Sequence, residues 1–273
     1  MFLGEYQLGA AEQKPLGGPV ALKGYICDLT GASLTRMDII DLTPHLRMLV
    51  LDNPGQAYLL RHGEHVILID TGTAGQAGSI AEALESWGSG RDALTHVLLT
   101  HWHPDHAGSA SALSEWPNAK IWAHKSDAPI IRGDQPGYFP VLTPTEEGFY
   151  AQAVGHVPDA GPSRVDRELQ DDETLEEISA RVISTPGHTA GSIAFYFPDE
   201  KVLFTGDVAT GQQGQVVLGP FDVDRDAARQ SFRRLADLDV DTVCFGHGAP
   251  LTGDDTKKLR DAAHAETVPD PLG

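Results

Sequence analysis

The sequence predicts an α/β protein in which two β-sheets lie face to face with helices on the outside. Three observations carry this. Short β-prone runs alternate with segments of helical periodicity. Several of those runs end in Gly or Pro beside a single His or Asp. Those His and Asp residues are spread from 101 to 247 and suit one kind of chemistry, so they must converge in one unit. Facing sheets with outer helices satisfy every apolar face that the pattern creates.

Taken in order, Leu46 to Leu51, Gln56 to Arg61 and His65 to Asp70 read as strands, the last two joined as a hairpin at His62-Gly63-Glu64. Between Gly75 and Trp87, the residues Ile80, Ala83, Leu84 and Trp87 recur at helical spacing. The apolar run Val97-Leu98-Leu99-Thr100 is a short buried strand. A helix then runs from Asp105 until Pro117 stops it after Trp116. Further strands are Ile121 to His124, Ala180 to Ser184, Ser192 to Phe197, Lys201 to Thr205 and Thr242 to Phe245. Between the last two, Asp224 to Leu238 places Ala227, Ala228, Phe232, Leu235 and Leu238 on one face of an amphipathic helix.

The strand ends carry the chemistry. His101-Trp102-His103-Pro104-Asp105-His106 puts four potential metal ligands within six residues at the mouth of a buried strand. A tight turn there can aim imidazoles and carboxylate at one point, a donor set that suits zinc or iron. Downstream, His188 follows Thr185-Pro186-Gly187, Asp207 follows Thr205-Gly206, and His247 lies between Gly246 and Gly248. Glycine beside a ligand permits close backbone approach. Upstream, Asp70-Thr71-Gly72 ends a strand in the same way.

This ordered set resembles the metallo-β-lactamase-fold hydrolases: Asp70 with Thr71-Gly72, the His101-x-His103-x-Asp105-His106 motif, then His188, Asp207 and His247. The resemblance spans about residues 45 to 252 and implies a four-layer αβ/βα sandwich with two mixed β-sheets, the site lying at one edge between them. It implies that His101, His103 and His188 hold one metal, that Asp105, His106 and His247 hold a second, and that Asp207 bridges the two. Asp70 would orient a ligand from behind rather than bind metal. A carboxylate at 207, where zinc β-lactamases have cysteine, points to the glyoxalase II and lactonase branch. Only 26 residues follow His247, with Lys257, Lys258 and Arg260 as their basic residues, and Thr210 stands where the best-known lactonases have tyrosine. The expected function is a dinuclear hydrolase of a small-molecule ester, lactone or thioester. It would use two divalent ions, zinc first with iron or manganese as alternatives, and a metal-bridging hydroxide. Asp105 would also move the proton. A mononuclear iron dioxygenase of the same fold and a non-catalytic metal-binding protein are the alternatives.

Composition fits one domain over 1–273: 41% hydrophobic residues is ordinary for a globular chain. No run of apolar residues is long enough for a transmembrane helix. Met1 to Pro15 lacks the basic start and apolar core of a secretory signal, so a cytoplasmic location is expected. Cys27 and Cys244 give no disulfide framework, and Cys244 reads as a buried strand residue. With 39 acidic against 20 basic residues, the net charge of −19 argues against nucleic acid and for a small-molecule substrate. The oligomeric state is left open, a homodimer among the options.

The interval 125–175 is more than the metal chemistry requires. It is rich in proline and glycine yet carries Tyr138, Phe139, Phe149 and Tyr150; one alternative is a surface excursion that packs these aromatics on its own short helix near Glu146 to Val154. Long insertions in compact domains are often lids or binding loops. The expectation is a partial cap over the site, with Tyr138, Phe139 and Trp102 as substrate contacts.

Overall fold

A computed structural model describes residues 37–51 and 55–265. The expectations for Met1 to Pro15 and for Cys27 lie outside the described residues. A seven-stranded sheet begins as an antiparallel meander of β1 (Asp38–Thr43), β2 (Leu46–Val50), β3 (Gln56–His62) and β4 (His65–Ile69). It continues in parallel through β5 (Leu94–Leu98), β6 (Lys120–His124) and β7 (Arg167–Leu169). Parallel neighbours need crossovers. These are α1 (Ala77–Ser86) between β4 and β5, and α2 (Pro104–Ala107) with α3 (Ala110–Ser114) between β5 and β6. Before β7 come α4 (Ala128–Ile131) and α5 (Pro144–Val154).

The second sheet has six strands: β8 (Thr174–Leu175), β9 (Ala180–Ser184), β10 (Ile193–Phe197), β11 (Val202–Phe204), and, beyond the β12 (Ala209–Gln212) and β13 (Gln215–Leu218) hairpin, β14 (Thr242–Cys244) and β15 (Leu251–Thr252). Helix α6 (Arg225–Leu235) connects β13 to β14, and α7 (Lys257–Ala263) follows β15.

Period-2 alternation divides the side chains among three cores. On β4, Leu68 faces outward to Ile80 and Leu84 of α1, whereas Ile67 and Ile69 face inward. On β10, Phe195 and Phe197 point inward, and Ala194 and Tyr196 point to Phe232 and Leu235 of α6. The inner core, with Tyr58, Leu98, Trp122, Phe204 and Cys244, seals sheet on sheet. Helix, sheet, sheet and helix therefore stack in four layers, the fold expected from the sequence.

Several boundaries differ from the sequence reading. The helix expected over 105–116 is broken into α2 and α3 at Gly108-Ser109. Gly108 packs so tightly that an added Cβ would meet Pro104 O at 2.2 Å and Ala74 N at 2.5 Å. Ser109 Oγ donates to Thr73 O instead of capping a helix. The interval 125–175 is not all excursion, because β7 and β8 within it rejoin the two sheets. Strands β1, β7, β8, β12, β13 and β15 lack the alternating apolar signal and were not expected.

Candidate metal centre

All the loops that carry expected ligands leave the same edge of the sandwich. After β5, the chain runs Leu99 to His103 into α2, whose Pro104 starts the helix and whose first turn holds Asp105 and His106. The loop after β9 carries His188, the turn after β11 carries Asp207, and the turn after β14 carries His247. Gly246 is required here: a Cβ would lie 2.0 Å from Asp207 Oδ1 and 2.7 Å from His106 Cε1.

The seven side chains come together. His103 Nδ1 lies 3.0 Å from His101 Nε2 and 2.9 Å from His188 Nε2. On the other side, His106 Nε2 and His247 Nε2 are 3.3 Å apart, and Asp105 Oδ2 is 3.7 and 3.3 Å from them. Asp207 Oδ2 stands between the groups, 3.1 Å from His247 Nε2, 3.3 Å from His106, 3.6 Å from His188 and 4.0 Å from His101. Ligand atoms at about 2.0–2.1 Å from a tetrahedral ion are roughly 3.4 Å apart, so these spacings suit two cations. Neutral imidazoles cannot satisfy one another in this way, since each carries only one N–H. Asp207 Oδ1 is buried and has no hydrogen-bond partner among the described residues. The donors present fit divalent metals.

Their protonation behaviour divides in two. Burial, reinforced by neighbouring imidazoles, pushes His101 well below its ordinary value and His103 down to about 3. Burial likewise lowers His188. Burial also works against protonation of His106 and His247, but the Asp207 and Asp105 carboxylates outweigh it. His106 is held well above its ordinary value and His247 is pushed up to about 10. Burial opposes ionisation of Asp105 and Asp207, yet His106 and His247 hold both carboxyls well below the usual range. One half thus presents neutral nitrogens, and the other holds positive charge between carboxylates, as a cation would be held.

Each half is braced from behind. His106 Nδ1 donates to Asp70 Oδ2 at 2.9 Å, leaving Nε2 as the ligating atom. Asp70 also accepts from Thr100 N and Thr100 Oγ1, both at 2.8 Å, and stands in the left-handed region with φ +57. His188 Nδ1 donates to Pro220 O at 3.1 Å. Sequence reading missed Asp127, which is fully buried and accepts from Trp102 N at 3.1 Å and Thr189 Oγ1 at 2.8 Å. Burial pushes its carboxyl up to about 6.

The expected substrate contacts divide. Trp102 packs edge-on against the rings of His103 and Tyr138, 4.6 and 5.5 Å away. The Gly137 backbone lies on its indole, where a Cβ would approach to 2.4 Å. Tyr138 Oη accepts from Ala190 N at 2.7 Å, tying the 125–175 segment to the His188 loop. Trp102 and Tyr138 thus connect the two loops, whereas Phe139 is 83% exposed. Farther along, Thr143 and Glu146 form a capping box at the start of α5, and buried Glu146 accepts from Phe221 N at 2.9 Å and pairs with Arg225. The segment is thus fastened beside Pro220, which holds His188.

The family model of the Metallo-beta-lactamase superfamily matches residues 50–247. The probable metallo-hydrolase YflN of Bacillus subtilis is 31% identical over 204 residues, covering 68% of this chain and 76% of the relative. An atrochrysone carboxyl ACP thioesterase of Claviceps purpurea is 27% identical over 226 residues, 78% of this chain and 59% of that protein. Among solved structures, TTHA1623 in a di-iron-bound form superposes with a TM-score of 0.56 at 29% identity, covering 72% of this chain and 89% of that one. With most of its length matched and the fold shared, the chain belongs to the metallo-beta-lactamase superfamily.

Proposed function

We propose that this protein is a dinuclear metal-dependent hydrolase of a small-molecule ester, lactone or thioester. The observation that carries the reading is Asp207 Oδ2, within 4.0 Å of imidazole nitrogens from both halves of the cluster. On this reading His101, His103 and His188 hold one ion, Asp105, His106 and His247 the other, and Asp207 serves both. Zinc suits the N/O donor set, and the likeness to a di-iron-bound protein keeps iron, with manganese, in play. Bound there, the ions would supply Lewis acidity toward a carbonyl oxygen and lower the pKa of water to about 7.

The chain's own residues do the rest. Asp105, kept ionised by His106 and His247, would accept the proton of the attacking water at Oδ2 and return it to the leaving group. No serine or cysteine nucleophile is needed, and Cys244 is buried between the sheets with its thiol pushed well above its ordinary value by burial. The thioesterase relative supports an acyl substrate. We read residues 1–273 as one domain, with the part of 125–175 that leaves the sheets as a partial cap and Phe139 as its substrate contact. We keep a cytoplasmic location as part of this reading, and a small-molecule rather than nucleic-acid partner accords with the net charge of −19. No helix among the described residues is long and apolar enough to cross a membrane.

A panel of lactones, thioesters and esters tests this. Hydrolysis should disappear with a chelator, return with added metal, and rise with pH around an apparent pKa near ~7. A covalent acyl-enzyme seen by mass spectrometry would overturn it. Oxygen uptake with a thiol or persulfide substrate, on one iron per chain, would favour the dioxygenase instead.

A further inference from the structure

The two halves of the cluster are braced by different buried carboxylates. Asp70 contacts a ligand directly only in the second half: it accepts from His106 Nδ1, and the adjacent Thr71 bonds the backbone of the same helix through Thr71 N and Oγ1 to His106 O, at 2.7 and 2.8 Å. The bonds of Asp70 to Thr100 reach His101 only through the Thr100 hydroxyl. Asp127 lies on the opposite side, just before α4. A residue placed before Ala128-Pro129 at the start of a helix would ordinarily cap it, yet the Asp127 side chain makes no cap hydrogen bond. It turns inward instead. Its Oδ2 accepts from Trp102 N, the amide lying between His101 and His103, and from Thr189 Oγ1, the residue after His188.

The surrounding chain is shaped to allow this. Gly191 passes so close that a Cβ would stand 2.3 Å from Asp127 Oδ1 and 2.7 Å from Asp127 N. Ser192 Oγ accepts from Thr189 N at 3.0 Å and lies 2.9 Å from Thr189 Oγ1, fixing that hydroxyl toward Asp127. Both bonds of the Asp127 carboxylate fall on Oδ2, and Oδ1 is buried with no hydrogen-bond partner among the described residues. The donors it binds flank ligands of the three-histidine group: Trp102 N lies between His101 and His103, and Thr189 follows His188.

We propose that Asp127 is the positioning residue of the three-histidine metal site, setting the distance between the His101/His103 loop and the His188 loop, as Asp70 does for His106 in the other site. The inference rests on the two-metal reading above. Loss of a carboxylate behind a ligand typically costs about 10–100-fold in metal affinity. For Asp127 the effect falls chiefly on one site, because both donors it binds lie next to ligands of the three-histidine group.

Zinc titration of the metal-stripped protein by calorimetry, with cadmium-113 NMR of the loaded protein, tests it. Wild-type protein should take two equivalents and give two cadmium resonances, one for the three-histidine set and one for the set containing Asp105, Asp207 being shared. Asp127→Ala should weaken one zinc site by about 10–100-fold and shift or broaden the nitrogen-rich resonance. Asp127→Asn, which keeps one acceptor for Trp102 N or Thr189 Oγ1, should recover part of that loss. Asp70→Asn should disturb the other resonance. Should Asp127→Ala fail to fold, Thr189→Val removes one of the two donors and should produce the same selective loss on a smaller scale. Equal weakening of both sites by the position-127 and position-189 variants, or wild-type behaviour of both, overturns the proposal while leaving two metals in place. A wild-type protein that binds no second equivalent overturns the two-metal reading and the proposal with it.

Discussion

On the proposed reading, Asp207 is the side chain on which both halves of the centre depend, since among the described residues its Oδ2 is the carboxylate oxygen within 4.0 Å of imidazoles of each. Asp207→Ala should therefore lower affinity for both ions together, and loss of only one in a metal titration would show that it does not bridge. A second expectation follows from protonation. His247, raised to about 10, and His106, raised well above its ordinary value, both carry protons at pH 7 in the metal-free protein. Metal must displace those protons, so binding at pH 7 should release them, and affinity should climb as pH rises toward about 10. Calorimetry in buffers of different ionisation enthalpy measures the release, and buffer-independent heats would refute it. The candidate ligands were legible in the sequence because four cluster within residues 101–106 after a β-prone run, and His188, Asp207 and His247 each stand beside Gly at the end of another. Asp127 was not. In Ser126-Asp127-Ala128-Pro129 it has the local signature of a helix cap, and only the folded chain brings Trp102 N and Thr189 to it.

At the scale of elements, the segment between β6 and β7 divides into fastened and free parts. Tyr138 is bonded to Ala190 N, and Glu146 to Phe221 N, so both hold the segment against the His188 side of the site. Phe139, Val141 and Phe149 are exposed. Phe139→Ala should then raise KM by about 10-fold or more, in line with the roughly 1–3 kcal/mol that apolar contacts confer on substrate discrimination, with metal content unchanged. Tyr138→Phe should leave KM less affected and loosen the His188 loop, seen as faster hydrogen exchange at Ala190. If Tyr138→Phe alone shifts KM, the assignment of strut and contact is reversed. A helix near 146–154 entered the sequence reading only through the alternative of a surface excursion, and the Thr143–Glu146 box that starts it was a readable signal that went unused. The break between α2 and α3 was not legible, because Gly108 is tolerated within a helical pattern and its tight packing on Thr73-Ala74 is a tertiary fact.

Across the whole molecule, one inner core holds the two sheets together and thereby sets the ligand-bearing edge. Phe195 sits fully buried among Tyr58, Ile67 and Phe204 in that core. Phe195→Ala should cost about 3–5 kcal/mol in denaturant unfolding, and a loss near zero would mean that the sheets are held elsewhere. The layer order was legible because each central strand is strongly apolar, whereas short edge strands such as β7 and β15 owe their pairing to neighbours rather than to their own pattern. The central claim is that this architecture brings seven ligands from four loops into two adjoining metal sites. Elemental analysis of protein purified without chelator and made metal-replete tests it most directly. The account predicts an approach to two equivalents of zinc, iron or manganese per chain; a clean single equivalent would contradict it.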